Sequence, residues 1–141
     1  MGHNPNKALM GNVPSSAKEV TNKKGVINAG LAVRLKSDDT ISIAKADGEL
    51  LGISCGKDLS DIGRTAIVRK GLKVPMRLTD GFDPTVGAQV HISDTTGMAI
   101  ASGAGATGVN AVYQSGRLSD GGLAEDGTTV GVAYIDFPGG L

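Results

Sequence analysis

The chain is poor in the residues that carry much of protein chemistry. Its 141 residues include one cysteine, no tryptophan, two tyrosines and two phenylalanines. The single cysteine, Cys55, excludes an internal disulfide, and no Cys/His cluster has the spacing of metal ligands. So few aromatic side chains leave little for stacking on nucleic-acid bases. We therefore expect no cofactor, no bound metal and no nucleic-acid partner.

Long apolar runs are missing as well. No run approaches the ~18 residues of a membrane span, and the start at Met1 lacks the charged and then apolar layout of a secretory leader. We expect a soluble protein that is made in a reducing cytoplasm and has no membrane contact. Glycine is abundant instead, with 22 residues, about twice the usual ~7%. A length of 141 residues predicts one main domain, because domains usually take ~100–200 residues.

The formal net charge of zero hides an asymmetry between the two halves. Residues 1–79 contain 13 of the 14 Lys and Arg and 7 of the 14 acids, a net of +6, whereas residues 80–141 have a net of −6. Such asymmetry can indicate nucleic-acid contact. Neutralisation within one fold, or between copies of the chain, is the simpler interpretation.

From residue 29 onward, short alternating segments predict strands separated by turns. Leu31, Val33 and Leu35 share one face of the first strand, and Asp47-Gly48 predicts a hairpin. A second hairpin is predicted at Lys70-Gly71, and Pro75 places its strand at an edge or a bulge. Eight or nine short strands without a long helical pattern predict an all-β fold, a small β-barrel or sandwich spanning residues 29–141. Glycines within strands, Gly52 and Gly131, are typical of barrel bends and close backbone approaches.

Residues 1–28 differ from the rest of the chain and predict an extended N-terminal arm. They are polar, and their apolar residues follow no sustained period. Residues 16–19 match a capping box, which supports at most one helical turn. A disordered terminus and an arm that becomes ordered against a partner both fit. The closely spaced apolar residues favour the second, with contacts expected from Leu9, Met10 and Val13 and from the flanking cations Lys7 and Lys18.

None of the possible catalytic motifs is convincing. Residues 103–108 match the dinucleotide fingerprint G-x-G-x-x-G, but a β-branched segment rather than a helix follows them. Cys55 follows Leu51 and Ile53 at the period of two that is typical of a strand, and it is expected to be a buried structural thiol. His91 is expected to face outward on a strand, with no nucleophile assigned to it. We therefore predict no catalytic residue and no enzyme.

A cluster of basic residues suggests a charged face on the predicted strands. These cations alternate with apolar residues, so several should share an exposed face that could bind phosphates by charge or dock on an acidic protein surface. The second option needs no further residues and is preferred. The residues are Lys57, Arg64, Arg69, Lys70, Lys73 and Arg77.

The order of strands and glycines resembles the small cement, or decoration, proteins of tailed-bacteriophage capsids. The resemblance covers roughly residues 25–137 and is a pattern of strands and glycines, without a catalytic signature. The segments that carry it are GLAVRL (30–35), LGI (51–53), AIVRKG (66–71), VGAQVHI (86–92), GMAIA (97–101) and VGVA (130–133).

This resemblance implies a non-enzymatic virion structural protein on the capsid exterior, made in the host bacterial cytoplasm. Its expected partners are the major capsid protein, contacted by the N-terminal arm, and further copies of itself, with a trimer favoured over a dimer. Another phage structural β-protein, such as a tail-tube or head–tail connector component, is the first alternative. A small hydrolase or ligand-binding barrel that uses Cys55 or His91 is the second.

Overall fold

The computed structural model describes residues 13–14, 16–58, 62–118, 122–123 and 129–138. Across these residues the chain forms ten strands of one sheet and a single 3-10 turn at Lys45–Asp47, without an α-helix. The predicted all-β class is confirmed. The strands are β1 (Ala17–Lys24), β2 (Ala32–Leu35), β3 (Ile41–Ser42), β4 (Glu49–Lys57), β5 (Arg64–Leu78), β6 (Gln89–Ser93), β7 (Ala99–Ile100), β8 (Ala106–Tyr113), β9 (Gly122–Leu123) and β10 (Thr129–Phe137).

Strand β5 organises the sheet because its two halves have different partners. The first half pairs with β1 and β4, and the second half pairs with β10. The hairpin predicted at Lys70-Gly71 is therefore wrong. Lys73 takes a left-handed backbone conformation with φ 51°, and its N–H donates to Asp136 Oδ1 at 3.0 Å. The strand is distorted there without reversing direction.

Five strands close on themselves into a small barrel. The pairings run from β5 to β7, β6, β8 and β10, and β10 returns to β5. Closure of this kind removes unpaired edges within the circuit. The main core is formed by side chains from this circuit and from the adjoining strands β2 and β4. Its members are Ala32, Ile53, Cys55, Ala66, Val68, Val74, Met76, Leu78, Val90, Ile92, Ala99, Val109, Ala111, Tyr113, Ala133, Ile135 and Phe137.

The remaining strands continue the sheet from the first half of β5. β4 pairs with β2, and β2 pairs with β3 in a hairpin through the predicted turn at residues 37–39. The hairpin predicted at Asp47-Gly48 is wrong, because β2 lies between β3 and β4. Gly48 is required there for a different reason, since a Cβ at this position would collide with the Leu35 carbonyl.

The positional predictions for proline and glycine are confirmed. Pro75 faces Tyr134 of β10, and in the described chain no strand pairs with the opposite side of β5 at this residue. At Gly52 an added Cβ would lie 2.9 Å from Ile67 Cγ2 and closer still to the Val68 carbonyl. Gly131 leaves room for the guanidinium of Arg117.

The sheet begins within the segment that was predicted to be an arm. Residues 17–24 form strand β1, so the helical turn that the capping box at residues 16–19 allowed does not form, and this part of the expected arm belongs to the sheet. The strand is mostly exposed and is held by antiparallel backbone pairing with β5. Backbone pairing leaves no apolar period in a sequence, which explains why the pattern did not predict this strand.

Candidate docking surface

Strand β1 and residues 64–72 of β5 form an antiparallel pair, which together with its flanking residues Val13, Val26 and Ile62 is here called the β1–β5 ribbon. β1 is mostly exposed, whereas residues 65–68 of β5 are buried. The register of the pair runs from Ala17 opposite Gly71 to Lys24 opposite Arg64. β1 is the outer strand of this pair. In the described chain the outer edge of β1 has one bridge, between Lys24 and Thr40. The rest of that edge pairs with no described strand, which leaves it open to an additional strand.

One end of the ribbon carries exposed apolar side chains from two segments. Val13 is 46% exposed and Leu72 is 45% exposed. The two segments are joined by backbone contacts, because the Leu72 N–H donates to the Ser16 carbonyl at 3.4 Å and the Ser16 hydroxyl donates to the Leu72 carbonyl. The Ala17 N–H closes a turn on the Pro14 carbonyl at 3.0 Å. Val13 therefore lies directly before a hydrogen-bonded turn that leads into β1.

The opposite end repeats this arrangement. The Gly25 N–H donates to the Gly63 carbonyl at 2.9 Å, which holds the neighbouring residues Val26 and Ile62 at the same end. Val26 is 63% exposed and Ile62 is 88% exposed. Val20 lies between the two ends and is 43% exposed. Exposed apolar side chains that lie near each other are typical of interaction surfaces.

The charges between the two ends are mixed, with an excess of cations. Arg69 Nη1 lies 3.1 Å from Glu19 Oε1 in an ion pair that is about half exposed. Lys18, Lys70 and Lys73 are also exposed. Of the cations predicted to form a basic face, Lys57, Arg69, Lys70 and Lys73 are exposed and Arg64 is half-buried; their sharing of one face stays a prediction.

Arg77 does not belong to that face. It is 7% exposed, and its Nε donates to the Ala29 carbonyl at 2.7 Å. Its backbone N–H donates to Gly30. The alternation with apolar neighbours predicted an exposed side chain, but the segment around residue 30 covers this side of β5.

The predicted arm residues fall into two groups. Val13 and Lys18 are exposed at the ribbon, whereas Lys7, Leu9 and Met10 lie outside the described residues. Of these five residues, Lys18 lies on β1 and Val13 precedes that strand. Their proposed contact with a capsid stays a prediction.

The sites set aside in the sequence have the expected surroundings. Cys55 is buried as predicted, and burial raises the pKa of its thiol from 9.0 to about 12. The glycine-rich segment 103–108 runs into strand β8, so the prediction that no helix follows it is confirmed. His91 lies on strand β6 as predicted, half-buried between the buried residues Val90 and Ile92 and opposite Gly108 of β8.

The described residues form neither a cluster of metal ligands nor a membrane-spanning helix. In the described part of the chain, no group of three or more His, Cys, Asp or Glu side chains could hold a metal ion. The same residues contain no helix with the length and hydropathy of a membrane span.

Besides Arg77, the sequence failed to predict the burial of a second cation, Arg34. The alternation of Leu31, Val33 and Leu35 predicted an outward-facing Arg34, yet Arg34 is 5% exposed. Val33, its neighbour on the opposite face, is fully buried as well. β2 is covered on both faces, so the period-two pattern could not distinguish its two sides.

Comparison with known proteins adds no family assignment. No protein-family model matches the chain, and a search of curated proteins finds no match.

Proposed function

We propose that this protein is a non-enzymatic virion structural protein that binds the outside of a tailed-phage capsid lattice and stabilises it. The observation that carries the proposal is the β1–β5 ribbon, whose outer strand β1 pairs with β5 on one side only apart from one bridge in the described chain, and which has exposed apolar residues at both ends. A strand added at such an edge gains main-chain hydrogen bonds, while a few side chains fix its register. The major capsid protein is the proposed partner.

The chain connectivity allows the N-terminal residues to act on the same partner. Leu9 is four residues from Val13, so it can lie at most ~14 Å away, because an extended chain spans ~3.6 Å per residue. Leu9 and Met10 can therefore reach a surface that is already in contact with the ribbon. Lys7 and Lys18 would add a weaker, salt-dependent attraction.

The repeated lattice of a capsid suits contacts of this size. Several weak contacts made together are stronger than any one of them, because each bound site raises the effective concentration at the next. Self-association into a homo-oligomer, with a trimer favoured by the family resemblance, would provide such multiplicity. The division of charge into +6 and −6 halves would let unlike regions of neighbouring copies meet.

Cosedimentation with undecorated capsids tests the proposal. The capsids come from phages of the bacterium in which the gene is found. Wild-type protein should bind saturably, and the double variant Val26→Ser/Ile62→Ser should bind ~100-fold more weakly, since each apolar side chain contributes ~1.5–3 kcal/mol when fully buried. Val86→Ser is the matched control, because Val86 is 61% exposed but lies outside the ribbon.

Two results would contradict the proposal. Wild-type protein that binds none of these capsids rules out the cementing role. Assembly of the purified protein into tubes or rings, in place of capsid binding, would favour a tail-tube or connector component.

A further inference from the structure

A cleft lies between two parts of the sheet, away from the ribbon. Arg34 of β2 and Leu50 of β4 line one wall, and Gln89 of β6 with residues 107–112 of β8 lines the other. Its volume is about 590 Å³. Clefts that bind small molecules usually have volumes of ~300–1,000 Å³.

Arg34 supplies an unusual group to this cleft. The side chain is buried, and its Nε and Nη2 atoms have no hydrogen-bond partner among the described residues. Buried polar groups almost always have partners, and an unpaired buried donor of a charged group is costly. Nε and Nη2 form one edge of the guanidinium, which can donate two parallel hydrogen bonds to a carboxylate.

The charges around the cleft are positive overall. Thr107 Oγ1, on the wall opposite Arg34, donates to Asp94 Oδ1 at 2.6 Å and accepts from Lys45 Nζ at 2.9 Å. Burial lowers the pKa of Arg34, and the nearby Asp94 carboxylate partly offsets this lowering. A guanidinium stays protonated in proteins, so Arg34 and Lys45 together exceed the single carboxylate of Asp94.

The rest of the cleft is largely apolar. Leu50, Val109, Ala111 and Val112 line it, and Val109 and Ala111 are buried. We propose that the cleft binds a small amphiphilic carboxylate, with the Arg34 guanidinium on the carboxylate and the apolar residues on its hydrocarbon part. Because the free edge of Arg34 is covered, the guanidinium must turn toward the cleft as the ligand enters.

Calorimetry and NMR titration of the full-length protein with hexanoate test this proposal. Hexanoate should bind with one site per chain and shift the amide resonances of residues 107–112, whereas hexanol and hexylamine should not bind comparably. Acetate should bind more weakly than hexanoate because it lacks the hydrocarbon part. Arg34→Lys keeps the charge but loses the two-donor edge, and should weaken hexanoate binding by ~10-fold or more.

Two further variants keep the test informative if Arg34→Lys does not fold. Arg69→Lys, an exposed arginine on the ribbon, is the matched control and should bind hexanoate like wild type. Asn110→Asp adds a negative charge of nearly the same shape to the cleft wall and should weaken hexanoate binding several-fold. No hexanoate binding to wild type at millimolar concentration, or equal affinity for hexanol, would overturn the proposal.

Discussion

The closed barrel and the β1–β5 ribbon differ in where their apolar side chains lie. In the barrel, Val90, Ile92 and Ile135 are at most 1% exposed, whereas Val20 and Ile62 of the ribbon segments are 43% and 88% exposed. Burial stabilises a fold by ~25 cal/mol per Å² of apolar surface. Stability is therefore concentrated in the barrel. The exposed apolar residues of the ribbon, unlike its buried Ile67 and Val68, contribute little to folding, which leaves them free for a partner.

The largest expected effect comes from truncating a barrel side chain. Ile135 is fully buried on β10, the strand that closes the circuit with β5 and β8. Ile135→Ala should lower the free energy of unfolding by ~2–5 kcal/mol, as measured by denaturant unfolding. Val86→Ala, at an exposed position, is the control and should change it by less than ~0.5 kcal/mol. Equal effects of the two variants would break the contrast between core and surface.

A smaller loss of stability is expected from a substitution at Gly52, where the backbones of β4 and β5 approach each other. The Cβ of Ala at position 52 would meet Ile67 Cγ2 and the Val68 carbonyl, so β4 and β5 must move apart. Gly52→Ala should cost ~1–3 kcal/mol by the same measurement. Gly81→Ala, where nothing lies within 4 Å of the added Cβ, should cost about 1 kcal/mol, because φ there is positive. A neutral Gly52→Ala would contradict the close approach.

The pH dependence of stability should carry a contribution from Cys55. Burial raises the pKa of its thiol to about 12 in the folded state, so the folded protein holds this proton more tightly than the unfolded chain. The stabilisation is complete below the unfolded pKa of 9.0 and is lost as pH rises toward 12. We expect a decline of about 1 kcal/mol between pH 9 and 10, measured by denaturant unfolding.

The matched comparison for this pH effect is Cys55→Ala, which should flatten the decline relative to wild type. The burial of Tyr113 raises its pKa from 10.0 to about 12, so part of the alkaline decline should persist in the variant. An identical decline in both proteins would mean that the thiol is not protected by the core.

The smallest effect on the free energy of unfolding is expected from removing an ion pair on the ribbon. Glu19 and Arg69 form an exposed ion pair, and exposed pairs usually contribute ~0–1 kcal/mol. Glu19→Gln should change the free energy of unfolding by less than ~0.5 kcal/mol, and this small change should vanish at high salt. A loss as large as that of Gly52→Ala would show that the ribbon is a main source of stability.

Much of the fold could be predicted from alternating apolar residues. The β2–β3 hairpin, β6 and β10 follow such segments, because most of their apolar residues pack in the core. β5 could not be predicted as one strand, since Lys70-Gly71 has the composition of a turn. Only the pairing of its two halves with different strands shows that the chain continues through it.

Neither candidate site could be predicted from a local sequence pattern, because each depends on contacts between segments that are far apart in the sequence. The β1 strand of the ribbon is polar and is held through its backbone by β5. Arg34 of β2 lines the cleft together with residues of β6 and β8, which are distant from it in the sequence. In both cases the deciding partner is far away in the sequence, so composition and spacing could not predict the outcome.

Capsid occupancy of a variant with Leu9, Met10 and Val13 all replaced by Ser tests the central claim most directly. Val13 is 46% exposed, so its replacement should leave the barrel unaffected. Cosedimentation and electron microscopy of capsids should show that the variant is released, while its melting temperature equals that of wild type. Full occupancy at wild-type affinity would contradict the claim that the N-terminal residues and the ribbon they enter bind the capsid.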